Sequence, residues 1–306
     1  MATMVSTRLQ IFALAALVAF GGLAAPGTDA FAQSSRQEEK KQKVLDYKQF
    51  EREQNRSIYG ELANEKRQEA IAQLKKILNE QDLPPDTKAE MLMRLAELYW
   101  EQSKYEYQTE MTAFDKKYEK WFDLEDDQQK KTPEPTIDNT RSSAFTRKAI
   151  ENYRVILQNY PNYPRVDEAL FFLAFSLNDI GEESDALQMY SKLVKSYPKS
   201  DFVPDSYNAI GEYYFNNNNA FKALQAYKRA AAFKDSKIYT FALYKMAWCY
   251  YNVGEYGTAI DTMKELVAET DRRLAENPEQ TGISLKEEAL RDLVLFFSEE
   301  GDLEAA

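Results

Sequence analysis

Residues 169–198 read ALFFLAFSLNDIGEESDALQMYSKLVKSYP, and residues 242–270 read ALYKMAWCYYNVGEYGTAIDTMKELVAET. Each stretch opens with an apolar helical pattern, reaches a glycine, Gly181 or Gly254, and continues with a second amphipathic pattern. Glycine suits the left-handed backbone that ends many helices, because it has no Cβ to clash. The first stretch stops at Pro198, which cannot continue a helix. The two stretches therefore predict a unit of helix, tight turn and helix.

The unit recurs at a nearly constant spacing. Four alanines, each four residues before a tyrosine or a methionine, mark its second helix: Ala149, Ala186, Ala223 and Ala259. The steps between them are 37, 37 and 36 residues. Such a period is typical of a stacked helical solenoid, in which each unit buries its apolar face against its neighbours. The middle unit has Asn218 at the turn, and asparagine tolerates the same left-handed backbone.

These residues resemble the tetratricopeptide-repeat family. In the unit around Gly181, the family's packing positions are held by Leu170, Leu173, Ala174, Leu177, Ala186, Tyr190, Leu193 and Pro198. Small residues at Ala174, Gly211 and Ala247 are expected to let paired helices approach closely. The resemblance implies an all-α fold, a right-handed solenoid of antiparallel helix pairs, over residues 57–306.

The solenoid is expected to contain an insertion of about residues 105–141, because one first helix is separated from its second helix by some forty extra residues. Met91–Phe122 is predicted to form one long helix, and Leu124–Thr140 an exposed, mobile link. Insertions of this kind project from one face of a solenoid. Both a docking site for a partner and a solvated spacer are consistent with the pattern.

The last repeat is expected to be incomplete. Leu293, Val294 and Phe297 hold first-helix positions, Gly301 marks the turn, and a second helix only begins at Ala305-Ala306. Since solenoids normally finish with a capping element, the chain is interpreted as the N-terminal part of a longer protein.

Residues 1–32 read as a bacterial signal peptide. Arg8 precedes an apolar run, Ile11–Phe20, and Ala30-Phe31-Ala32 supplies the small residues at which signal peptidase cleaves. The run is shorter than the roughly twenty residues that a membrane span needs, although a retained anchor is the alternative. After a polar segment at residues 33–56, the mature protein is expected to be periplasmic, without stable membrane insertion.

Composition argues against several classes of function. The net charge is −11 without a basic run, which is poorly matched to the phosphates of nucleic acid. The chain has no histidine, its single cysteine, Cys249, is expected to be packed, and no glycine-rich phosphate-binding loop is present. We therefore expect no enzyme activity, no cofactor and no metal site.

The resemblance implies that first helices line a concave groove. Its candidate partner-binding residues, which we call the predicted strip, are Trp100, Phe175, Asn178, Phe215, Trp248, Tyr251 and Asn252. Aromatic side chains are frequent binding anchors, and asparagine can bond a peptide backbone as donor and acceptor. The groove positions hold no lysine or arginine, so an apolar, neutral or basic segment is the expected ligand. Packing between repeats is the alternative role for the aromatic members.

The signal peptide, repeats and long insertion together resemble large periplasmic repeat proteins of predatory and gliding bacteria. This resemblance implies a non-enzymatic scaffold that binds other envelope proteins or peptide segments in an envelope or motility complex. Two alternatives remain open at this stage. Tryptophan and tyrosine faces could stack on the sugars of peptidoglycan, or the repeats could be the targeting arm of a longer protein with activity beyond residue 306.

Overall fold

A computed structural model describes residues 60–80, 82–277 and 285–301. The chain divides into two compact units, Met1–Gln73 and Leu74–Ala306; of the first unit, the structure describes residues 60–73, which are helical. The predicted signal peptide, the polar segment and Ala305-Ala306 lie outside the described residues.

The described part of the chain is all-α, as predicted, and contains no strand. Its helices are α1 (residues 60–80), α2 (Pro85–Phe122), α3 (Asp126–Gln129), α4 (Thr140–Asn159), α5 (Val166–Asp179), α6 (Glu183–Ser196), α7 (Val203–Asn216), α8 (Ala220–Ala231), α9 (Tyr239–Asn252), α10 (Tyr256–Glu276) and α11 (Lys286–Glu300).

Helices of the second unit pack against their neighbours in sequence. The pairs are α2 with α4, α5 with α6, α7 with α8, and α9 with α10, and each pair stacks on the next through α4 and α5, α6 and α7, α8 and α9, and α10 and α11. The four alanines that recur in the sequence are all buried on second helices. A chain of nearest-neighbour helix contacts is the architecture of a solenoid, which confirms the predicted fold class.

The turn within each pair has one geometry in three successive repeats. Gly181, Asn218 and Gly254 adopt φ values of +80°, +56° and +80°. In the first turn, the N–H of Glu182 donates to the carbonyl of Leu177 at 2.9 Å, and the N–H of Gly181 donates to that of Asn178 at 3.1 Å. The other two turns repeat both bonds within 0.1 Å. This pattern satisfies carbonyls that the helix end leaves without partners. Asn218 therefore substitutes for glycine, as predicted.

The links between repeats also share one pattern. The N–H of Tyr163 donates to the carbonyl of Tyr160, and the N–H of Val166 donates to that of Tyr163. The same bonds recur from Tyr197 through Ser200 to Val203, and from Phe233 through Ser236 to Tyr239. The third link forms without the proline that follows the tyrosine in the other two. Corresponding residues of successive repeats can therefore be matched from the backbone alone.

The insertion leaves the stack at Glu110, a buried carboxylate on α2. Its Oε1 accepts hydrogen bonds from the backbone N–H groups of Arg141 at 2.9 Å and Ser142 at 3.2 Å, in the first turn of α4. Those N–H groups have no partner within their own helix, and negative charge is favourable at a helix N-terminus. Glu110 thus joins the long helix to the start of its partner helix.

The link after α2 is not a featureless segment. It contains the short helix α3, and the side-chain amide of Gln129 donates to the carbonyl of Phe122 at 2.9 Å. The indole Nε1 of Trp121 donates to the carbonyl of Thr132 at 3.0 Å. Gln129 thus satisfies a carbonyl that the end of α2 leaves without a helical partner, and Trp121 of α2 bonds the link in return.

One residue of α11 that was predicted to hold a packing position, Val294, is not buried. Leu293 and Phe297 are buried as expected, and Phe296 is fully buried beside them in the core shared with α9 and α10. Val294 is 59% exposed, because it lies on the opposite side of the helix from Phe296 and no described helix covers that side. Gly301 ends α11 with φ +81°, the same conformation as the glycines of the earlier turns.

Gly211 lies at the closest approach between α7 and α8. A Cβ at this position would lie 2.5 Å from Cε1 of Tyr227 and 2.6 Å from its Cδ1, and Tyr227 is fully buried. Close-packed interiors do not absorb such an overlap without moving a helix. The Gly211→Ala variant is therefore expected to lower the free energy of unfolding by about 1–3 kcal/mol, measured by urea denaturation followed by circular dichroism.

The control is Gly60→Ala, because a Cβ at Gly60 meets no atom within 4 Å. This variant changes the same chemical group without a steric overlap. Equal denaturation midpoints for Gly211→Ala and the parent would contradict the close approach.

Candidate functional site

The predicted strip lies on four first helices. Trp100 is on α2, Phe175 and Asn178 on α5, Phe215 on α7, and Trp248, Tyr251 and Asn252 on α9. The five aromatic side chains are half-buried, and the two asparagines are exposed. The aromatic members fall into three groups, each joined to a neighbouring first helix.

The first group joins α2 to α5. The rings of Trp100 and Phe175 meet edge to face, with centroids 6.1 Å apart. Nζ of Lys104 lies 5.2 Å from the centroid of Trp100 and 3.2 Å from Oδ1 of Asp179. Burial lowers the pKa of Lys104, and the Asp179 carboxylate opposes that shift. The group thus combines an aromatic contact with a shielded ion pair.

The second group joins α7 to α9. Nζ of Lys245 lies 4.8 Å from the ring centroid of Phe215 and donates to Oε2 of Glu212 at 2.9 Å. The hydroxyl of Tyr227 donates to the other oxygen of Glu212 at 2.5 Å. The Glu212 carboxylate is therefore held from two helices, α9 and α8.

The third group joins α9 to α11. Tyr251 stacks on Phe296 with centroids 4.8 Å apart, and Trp248 meets the same ring edge to face at 5.2 Å. The indole Nε1 of Trp248 donates to Oδ2 of Asp292 at 3.1 Å, and the hydroxyl of Tyr244 donates to the same oxygen at 2.7 Å. Burial, aided by the bond to Asp292, raises the pKa of Tyr244 to about 12.

The aromatic members of the strip therefore pack between successive first helices, and their contact with a partner stays a prediction. Phe296 of α11 packs against both Trp248 and Tyr251, which agrees with the alternative role of packing between repeats. The predicted groove positions themselves hold no lysine or arginine, but two lysines lie next to them. Lys104 and Lys245 lie beside the strip, and each is neutralised by a carboxylate. Each lysine follows an aromatic residue, Trp100 or Phe241, by one helical turn, and this spacing could have predicted its position from the sequence.

A row of acceptors on α7 lies outside the predicted strip. Asp205, Asn208 and Glu212, which we call the α7 row, share one face of the helix because they are three and four residues apart. None of the three belongs to the predicted strip. The side-chain oxygen of Asn208 is buried, and no described residue donates a hydrogen bond to it. Burial raises the pKa of Asp205 to about 6, and the positive charge of Lys237 opposes that shift.

A second cluster of carboxylates surrounds Arg165, the residue before α5. Its Nη1 lies 2.7 Å from Oε1 of Glu90, its Nη2 3.0 Å from Oε1 of Glu97, and its Nε 2.7 Å from Oε2 of Glu168. One guanidinium thus bridges three carboxylates from α2 and α5.

A separate cavity of about 440 Å³ lies between the end of α1, the start of α2 and the end of α4. Its walls include Leu92, Tyr99 and Val155, and Lys75 and Lys88 lie among its polar residues. It contains no residue of the strip or of the α7 row.

The described residues offer little for catalysis. Cys249 is fully buried, as expected, and burial raises the pKa of its thiol to about 12, which opposes formation of the reactive thiolate. Within residues 60–80, 82–277 and 285–301, no three His, Cys, Asp or Glu side chains are placed to hold a metal ion. No helix in those ranges has the length and apolar character needed to cross a membrane.

Asp205 makes the stability of the fold depend on pH. Its pKa rises from 3.8 to about 6 on folding, so the folded state binds the proton more tightly than the unfolded state. The contribution of Asp205 to the free energy of unfolding therefore falls as pH rises from about 4 to 6, and stays low above 6. We expect Asp205→Asn to raise the free energy of unfolding at pH 8 by about 1–3 kcal/mol and to have little effect near pH 4.

Chemical denaturation of both proteins between pH 4 and pH 8 measures this difference. Asp201→Asn is the matched control, since Asp201 is an exposed carboxylate four residues away. A difference between Asp205→Asn and the parent that stays constant across the pH range would contradict the burial of this carboxylate.

The comparisons with known proteins agree with this geometry. The family model for the tetratricopeptide repeat matches residues 168–200 and 241–269, which span α5 with α6 and most of α9 with α10. No curated protein sequence matches the chain.

Among solved structures, BtubC (BKLC) from P. vanneervenii is 13% identical, with a TM-score of 0.51 over 80% of this chain and 85% of that chain. The protein MamA is 23% identical, with a TM-score of 0.42 over 55% of this chain and 80% of that chain. At these identities the likeness to BtubC concerns the fold alone. Together with the family match, it confirms the predicted resemblance: the described part of the chain is an all-helical solenoid in which two stretches match the tetratricopeptide repeat.

Proposed function

We propose that this protein is a non-enzymatic scaffold that binds segments of partner proteins along its first helices. The observation that carries the proposal is the predicted strip itself, with half-buried aromatic rings on α2, α5, α7 and α9 beside exposed Asn178 and Asn252. Rings already held by their neighbours lose little conformational entropy when a ligand covers them. Exposed asparagines can bond an extended backbone as donor and acceptor.

The proposed setting is the bacterial periplasm, and the proposed partners are other proteins of an envelope or motility complex. The signal peptide predicted at residues 1–32 supports this location. The net charge of −11 supports a protein partner over nucleic acid, and the buried, unreactive Cys249 supports a role without catalysis or cofactor.

Glycan binding is supported less well than peptide binding. A sugar would stack on an open ring face, but Lys104 lies over the ring of Trp100 and Phe296 packs against Trp248. The exposed polar groups of the strip are amides, which suit a peptide backbone at least as well as a sugar hydroxyl.

Affinity capture from a cell-envelope extract tests the scaffold proposal. Replacing Trp248 or Tyr251 would also remove contacts to Phe296, so the informative variant is Asn178→Arg/Asn252→Arg, which alters two exposed groove positions. We expect the parent to capture a specific set of envelope proteins, identified by mass spectrometry. The variant should lose that set because two bulky side chains obstruct the groove.

The matched control is Gln188→Arg/Thr258→Arg, which places the same two charges on exposed positions of the second helices α6 and α10. The control should capture the parental set, and circular dichroism should show all three proteins equally helical. Capture of one set by all three proteins would place the binding surface elsewhere, and capture of none by the parent would contradict the scaffold function.

A further inference from the structure

The repeats can be compared with one another, because their links and helices correspond residue by residue. The hydrogen-bonded links match Arg165, before α5, with Phe202, before α7, and with Ile238, before α9. On the first helices, the small packing residues match Glu90 of α2 with Asp205 of α7. The same alignment matches Glu97 of α2 with Glu212 of α7, Met93 with Asn208, and Glu168 of α5 with Asp205.

On α2 the two carboxylates share a cation supplied by the chain itself. The guanidinium of Arg165 contacts Glu90 through Nη1 and Glu97 through Nη2, and it also contacts Glu168 of its own repeat. Planar guanidinium groups are suited to bridging acceptors in this way, since their donors point in fixed directions. This arrangement shows which ligand fits a pair of carboxylates at these two helix positions.

On α7 the same two positions hold Asp205 and Glu212, but the position of the bridging arginine holds Ile238, which carries no charge. Glu212 is satisfied by Lys245 and Tyr227. No described cation forms an ion pair with the half-buried Asp205, whose carboxylate accepts a hydrogen bond from its own backbone N–H and lies within reach of the charge of Lys237. A carboxylate shielded from water without a paired cation costs stability, so its presence calls for a ligand.

A second acceptor beside Asp205 lacks a donor. The side-chain oxygen of Asn208 is buried, receives no hydrogen bond from a described residue, and lies on the same helix face one turn after Asp205. Unsatisfied buried acceptors are uncommon in folded proteins. The α7 row therefore presents two neighbouring acceptors, an Asn208 oxygen without a donor and an Asp205 carboxylate without a paired cation.

We propose that the α7 row binds an arginine side chain of the protein partner, whose guanidinium contacts Asp205 as Arg165 contacts the equivalent Glu90, and donates to the neighbouring Asn208 as well. This inference rests on the proposed scaffold function and names the chemistry of its partner. The chain's net charge of −11 favours approach of a basic segment. A guanidinium can donate to both acceptors at once, whereas an ammonium is a single point charge.

Two pools of randomised nonapeptides test the inference, one with a central arginine and the other with citrulline, which keeps the shape and removes the charge. Both pools are acetylated and amidated, and their retention on the immobilised full chain is compared. We expect the parent to retain the arginine pool about five- to tenfold better, the range of one charged contact. Asp205→Asn should abolish this preference, and Asp201→Asn should keep it.

Ile238→Arg supplies a second test within the chain. The new side chain occupies the position equivalent to Arg165, so it should pair with Asp205 and block the arginine pool as effectively as Asp205→Asn does. It should also raise the melting temperature when Asp205 is present and not in the Ile238→Arg/Asp205→Asn double variant. This dependence on Asp205 distinguishes ion pairing from a general effect of the substitution.

Equal retention of both pools by the parent, or an arginine preference that survives Asp205→Asn, would overturn the inference. Retention of neither pool would overturn it as well. None of these results contradicts the scaffold function, which the capture of envelope proteins from extract decides independently.

Discussion

Each repeat depends on one residue that reverses the chain between two helices in a left-handed backbone conformation. With φ near +80° at glycine or +56° at Asn218, the N–H groups that follow the first helix turn back onto its last carbonyls. The second helix then begins within two residues and returns antiparallel. Because the same bonds form three times, the pairs repeat with one geometry and their apolar faces stack.

That geometry brings paired helices so close that the contact admits only small residues. Ala174, Gly211 and Ala247 are fully or largely buried at equivalent places, and Gly211 lies directly against the ring of Tyr227. Close approach turns other first-helix side chains outward, where they meet the next repeat. The aromatic contacts from Trp100 to Phe175 and from Trp248 to Phe296 therefore follow from the packing of the pairs.

The repeat period and the turn residues made most of the fold predictable, because both are local properties of the sequence. Gly181, Gly254 and Asn218 needed only their own backbone preferences to be interpreted. Val294 was assigned wrongly because its burial depends on a neighbour that the described chain does not provide. The candidate site was harder to predict. Lys245 is important because it pairs with Glu212 on another helix. Asp205 is important because its repeat has no counterpart of Arg165 to pair with it. A helical sequence pattern contains no information about such distances between helices.

Glu110 has a consequence for the architecture as a whole. By binding the first N–H groups of α4, it holds the two ends of the insertion together where the insertion leaves the stack. The chain between this clamp and residue 141 can therefore change in length or sequence without disturbing the spacing of the repeats. During evolution, peripheral structure can therefore be gained or lost beyond these hydrogen bonds while the solenoid stays intact.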